Sequence, residues 1–304
     1  MFSRVRTFIW ALLLSLAFTG AARAELASFE TEHFRFVHAP ERPAMAQELA
    51  ALAEPTFGDV TRQLGVAGTL QIPKIEVRIA HSDEEFVAAM PSGRNIEWAA
   101  GVAFPRLAII VMRISGTTRF EVADVFKHEI SHVVLGWATG HADLPHWFME
   151  GVAVHQAGER LAERWQKTAM ATLTDSLPPM NTLVDGFPAD GTQADFAYAQ
   201  STAFVGYLIG RAGWPAIRTL VGKLREGAEF DDAVGSTWGV PIATLEADFR
   251  AQVGTSASWL PILFGSTVLT ALAGVAFSVL AVRKRRERKE RQARMNDPLD
   301  DEYA

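Results

Sequence analysis

The chain has 304 residues, 49% of them hydrophobic, a formal net charge of −6 and no cysteine. That length holds one large domain or two smaller ones sharing a core. Without cysteine there is no disulfide framework and no thiol nucleophile, and no internal repeat of about 20–50 residues marks a solenoid.

Residues 1–24 carry Arg4 and Arg6, then an uncharged apolar run from Phe8 to Phe18, then small residues closing on Ala22-Arg23-Ala24. This is the order of a secretory signal peptide, and the run is too short for the about 20 residues that cross a bilayer. Residues 25–257 are the expected exported domain. Acidic side chains outnumber basic ones in it, which speaks against nucleic acid as a partner.

Within that domain, Ser28–His38 alternate apolar and polar side chains and predict a half-buried strand. A helix is predicted over residues 43–64, where Met45, Leu49, Leu52, Phe57, Val60 and Leu64 recur at three and four and Gly65 stops the pattern. Lys74–Ala80 and Val102–Met112 read as two further strands, the second interrupted at Pro105 and therefore suited to an edge or a turn. From Thr118 the pattern is helical, apart from a Gly/Pro/Asp-rich loop over Leu177–Asp195. The expected class is α+β, a mixed sheet layer followed by a helical one.

Trp259–Val282 contains no ionisable side chain. At about 1.5 Å per residue it would cross the ~30 Å of a membrane interior. Arg283-Lys284-Arg285-Arg286-Glu287-Arg288-Lys289 follows, a basic flank of the kind kept on the cytoplasmic side. These readings predict a signal peptide (1–24), an extracytoplasmic domain (25–257), a transmembrane helix (258–282) and a cytoplasmic tail (283–304), hence a single-pass cell-membrane protein.

His128-Glu129-Ile130-Ser131-His132 is an H-E-x-x-H sequence. On a helix, residues four apart lie one turn above each other, so two imidazoles can share one metal ion. Thr118-Arg119-Phe120-Glu121 has the pattern of a capping box, and Val122, Val125, Phe126, Val133 and Trp137 supply the apolar stripe. A third ligand is still required. Leu135 and Ala138 stand where one extended form of the motif needs Gly and His, so that form is excluded. Glu150 fits instead. The first helix runs ~9 Å past His132 before Thr139-Gly140, Asp143 can cap a second helix with Pro145 in its first turn, and Glu150 lies ~9 Å back along it.

The pair His128–His132 and Trp147-Phe148-Met149-Glu150-Gly151-Val152-Ala153 resembles the peptidase MA-like family of gluzincin zinc metallopeptidases, distantly similar to aminopeptidase N and thermolysin. Tyr198-Ala199-Gln200-Ser201 and Trp98-Ala99-Ala100-Gly101-Val102-Ala103 look like the same pattern, and the resemblance covers roughly Phe29 to Val253. It implies a zincin-like fold, Zn2+ held by His128, His132 and Glu150, a water activated by Glu129, and a peptide or protein substrate paired with an edge strand. Tyr198 is the candidate donor to the developing oxyanion. Val154 departs from thermolysin, where an aspartate would orient a ligand. The region Gly101–Pro105 lacks the glutamate with which aminopeptidase N grips a free amino terminus, which favours endopeptidase activity. The loop Asn181–Asp195 is expected to rim the cleft as a lid. His141, His146 and His155 are expected as loop, cap or surface histidines.

Two other readings stay open on sequence alone: a membrane-tethered binding module on an inactive zincin scaffold, and metal-assisted hydrolysis of something other than a peptide. An intramembrane protease is disfavoured by Glu121, Asp124 and Lys127 just before the motif.

Overall fold

The computed structural model describes residues 26–91, 99–116, 119–158, 178–188 and 190–255, together with Phe277 and residues 283–285. The expected signal peptide, the capping Thr118 and, Phe277 apart, the expected span over 258–282 lie outside the described residues. Among the described residues no helix is long and apolar enough to cross a membrane, and the expectation of a single-pass membrane protein is corrected accordingly. The physical reason is patterning. The longest helices carry exposed charges, Asp59 and Arg62 in one and Arg211 and Arg218 in the other, beside a buried stripe, as helices packed on a core do.

Five strands form one mixed sheet in the order β1-β2-β3-β5-β4. The predicted first strand is a hairpin, β1 (Ala27–Glu30) antiparallel to β2 (Phe34–His38). β3 (Ile75–Ala80) runs parallel to β2 and to β5 (Ile109–Arg113). The expected strand Val102–Met112 is also two. Pro105 opens a 3₁₀ turn, Pro105–Leu107, that separates β4 (Gly101–Phe104) from its antiparallel neighbour β5 and leaves β4 alone at the edge. Proline lacks the N–H a ladder needs, so the chain turns there.

Period-two alternation assigns the two faces of the sheet. Phe34, Phe36, Ile75, Val77, Ile110 and Met112 enter the main core, which α1 (Pro43–Leu64) and α3 (Arg119–Ala138) cover. Val111 points the other way into a small cluster with Phe86 of α2 (Asp83–Ala89). α1 buries Leu49, Phe57, Val60 and Leu64 and ends on Gly65, whose φ of 75° suits glycine. Then come α4 (His146–Ala157), a 3₁₀ turn at Met180–Leu183, α5 (Gly191–Arg225, broken at Gly213), α6 (Phe230–Trp238) and α7 (Ile242–Thr255). α5 begins inside the expected loop, because the Asp190 carboxylate accepts the N–H of Gln193 and caps it.

Candidate metal centre

α3 carries His128, Glu129 and His132 on a helix anchored by fully buried Phe126, Ile130, Val133 and Val134. After Ala138 the chain reverses through Gly140 and His141, both at positive φ. α4 starts at His146 with Pro145 as its cap residue, so the expected cap at Asp143 is corrected: Asp143 is exposed, and the His146 N–H donates instead to the Val184 carbonyl at 2.8 Å. Gly151 lets α4 lie against α5, since a Cβ there would come within 2.4 Å of Val205 Cγ2 and 2.7 Å of the Ser201 carbonyl. That packing sets Glu150 on the face turned to α3.

His128 Nε2 and His132 Nε2 lie 2.9 Å apart, Glu150 Oε2 is 3.2 Å from His128 Nε2, and Glu150 Oε1 is 3.5 Å from His132 Nε2. Ligand atoms held at about 2.0–2.1 Å by a tetrahedral ion are about 3.3 Å apart. The three observed edges bracket that length, so His128, His132 and Glu150 form a group that could hold a metal ion. The donor chemistry agrees. When both imidazoles are neutral, two ring nitrogens and a carboxylate face one point with more lone pairs than protons to share among them, a balance that a cation corrects. Burial alone would raise the Glu150 carboxyl, but His132 and then His128 and His146 hold it down at about 2, from an ordinary 4.5. It is a carboxylate at neutral pH, as a ligand must be.

Glu129 points from the same helix toward β4. It is 7% exposed, and a Cβ on Gly101 would be 3.2 Å from its Oε1. β4 then follows α3. The Trp137 indole N–H donates to the Pro105 carbonyl at 2.8 Å, and a Cβ on Gly136 would meet Pro105 at 2.7 Å. Glu129 to Gly136 spans about 11 Å of helix and Gly101 to Pro105 about 13 Å of strand, so the two run side by side.

Tyr198, two turns into α5, is half-buried with its ring 4.5 Å from that of Phe187. Phe187 in turn meets the His146 ring at 4.6 Å, and His146 Nε2 is 3.8 Å from Glu150 Oε1. Tyr198 is thus connected to the metal group through two rings. His146, expected as a loop, cap or surface histidine, stands beside the ligands; its spacing of four from Glu150 was the available signal. His141 packs on Trp137 in the turn, and half-buried His155 hydrogen-bonds the Thr202 carbonyl at 2.9 Å.

Fold and site together define an α+β domain that presents a metal-competent pair of histidines and one carboxylate beside the edge strand of a mixed sheet. The model of the Peptidase MA superfamily matches residues 62–255, and the chain belongs to that family. No curated protein matches the chain significantly.

Proposed function

We propose that the protein is a zinc-dependent peptidase acting on the interior of peptide chains. The observation that carries the reading is the convergence of His128, His132 and Glu150 on one point, with the buried Glu129 carboxylate on the same turn of helix. Two nitrogens and one oxygen form a donor set suited to zinc and leave a fourth position for water or substrate. Zinc, when bound, supplies Lewis acidity toward a carbonyl and toward water. Glu129, one residue from the first ligand, accepts the proton of the attacking water and returns it to the leaving amine nitrogen. Tyr198 is assigned as the hydroxyl donor to the developing oxyanion. β4, the last strand of the sheet among the described residues, is assigned as the edge that pairs with an extended substrate backbone. Its residues Gly101, Val102, Ala103 and Phe104 include no carboxylate to fix a free amino terminus, which supports internal cleavage.

The test is metal analysis of the purified chain beside peptide cleavage by the native protein and by Glu129→Gln. One zinc per chain is expected in both, with cleavage reduced by at least about 10²-fold in the variant, and N-acetylated peptides cut as well as free ones. Zinc at full occupancy with no Glu129-dependent product would instead identify an inactive binding module.

A further inference from the structure

The metal group has two unlike sides. On the Glu129 side lies β4, where Gly101 presents only backbone. On the Glu150 side lies a strap, residues 178–188, that is pinned by hydrogen bonds at Pro178, Met180 and Val184. The Pro178 carbonyl accepts from the Gln200 amide at 2.8 Å and the Arg250 guanidinium at 2.6 Å, the Met180 N–H donates to Glu246 at 3.1 Å, and the Val184 carbonyl accepts from His146. Buried Met180 and Leu183 root it in the core. The strap delivers one aromatic side chain to the site. Phe187 meets His146 on one side and Tyr198 on the other, edge to face in both cases (64° and 74° between planes), and keeps part of its ring exposed.

We propose that Phe187, clasped by His146 and Tyr198, determines which substrate side chain is accepted beside the metal group, selecting an apolar and above all an aromatic one over a carboxylate. The inference rests on the peptidase reading above. A ring held in place by two neighbours loses no freedom when a third packs on it, and edge-to-face pairs add attraction beyond area burial. A carboxylate there would lose water against an apolar ring and gain no donor from it.

The test uses the zinc-loaded full chain and small peptide hydroxamates identical but for one side chain: benzyl, methyl or carboxymethyl. Calorimetric titration is expected to give benzyl about tenfold tighter than methyl, and carboxymethyl weakest. In Phe187→Ala the benzyl-to-methyl ratio falls to about twofold or less, with zinc content retained. Val184→Ala, an exposed position on the same strap, keeps the native ratio and controls for general loosening. An undiminished benzyl preference in Phe187→Ala overturns this inference alone and leaves the peptidase reading standing. Failure of every hydroxamate to bind the zinc-loaded native chain overturns both.

Discussion

Glu32, His33 and Glu54 offer nearly the same ligand types as His128, His132 and Glu150, and in each group the candidate donor atoms all lie within 4.8 Å of one another. What differs is how the carboxylates are satisfied. Glu54 Oε1 accepts from the Thr31 hydroxyl at 2.6 Å and the His33 N–H at 2.9 Å, and its Oε2 pairs with His33 Nδ1 at 2.7 Å. The turn of the first hairpin supplies those donors, so both oxygens are already bonded by protein. Glu150 faces imidazole nitrogens that also face each other. Composition and proximity are shared by the two clusters. The shortage of protons around Glu150 is peculiar to the second, and it is this shortage that a cation relieves.

The sharpest way to break this contrast is to remove ligands from each cluster. His128→Ala, His132→Ala and Glu150→Gln should each weaken zinc binding by more than about 10²-fold, a loss beyond that typical for residues supporting a ligand, whereas Glu54→Gln should leave stoichiometry at one. Zinc titration followed by elemental analysis checks this. A second equivalent that survives His128→Ala and disappears in Glu54→Gln would erase the distinction.

The next effect follows from what holds each cluster in place: local hydrogen bonds for Glu54, packing of whole elements for Glu150. Gly151→Ala drives a methyl into Val205 and the Ser201 carbonyl, and backbone cannot step aside alone. A loss of about 1–3 kcal/mol is expected, read as a melting temperature lower by roughly 3–10 °C together with weaker zinc binding. Gly101→Ala is milder, because the crowded atoms, Val125 Cγ1 at 2.6 Å and Glu129 Cγ at 3.0 Å, belong to side chains that can turn. Stability should change by less than about 1 kcal/mol. Peptide cleavage should still fall by about tenfold with zinc retained, since the displaced group is the proposed base; equal cleavage would show that β4 does not position Glu129.

Much of this contrast was legible in the sequence, and the exceptions have physical causes. α1 and the facing of His128 and His132 follow from periodicity, the stop of α1 from Gly65, and β3 from its β-branched residues. The return of Glu150 follows from helix rise. The turn between β1 and β2 does leave a mark, four consecutive polar residues from Glu30 to His33 that interrupt the alternation, but the apolar pattern on either side masks it as one strand, and the donors that close the Glu54 cluster sit in that turn. α2 buries only Phe86, so no stripe betrays it, although Ser82 accepts the Glu85 N–H as its cap. The partner of the His146 N–H, the Val184 carbonyl, is remote in sequence and no local rule selects it over an Asp143 cap. Likewise, nothing in the spacing of Phe187 reveals that it meets both His146 and Tyr198.

The smallest effect separates the clusters by pH. Burial would raise the Glu54 carboxyl, yet the His33 N–H, the Thr31 hydroxyl and the His33 ring hold it below its ordinary 4.5. A carboxyl lowered on folding stabilises the native state when ionised in both states. Its contribution is therefore complete above about pH 4.5 and is lost as pH falls through the lowered native value. Glu54→Gln keeps the shape and one acceptor oxygen but cannot ionise, so it should cost about 1 kcal/mol at pH 7. The deficit against the native chain should shrink toward zero on acidification below pH 4.5, measured by urea unfolding of both proteins freed of metal. A deficit that stays constant with pH would mean that Glu54 is held by shape and not by its charge, and the difference drawn between the two carboxylates would then need another basis.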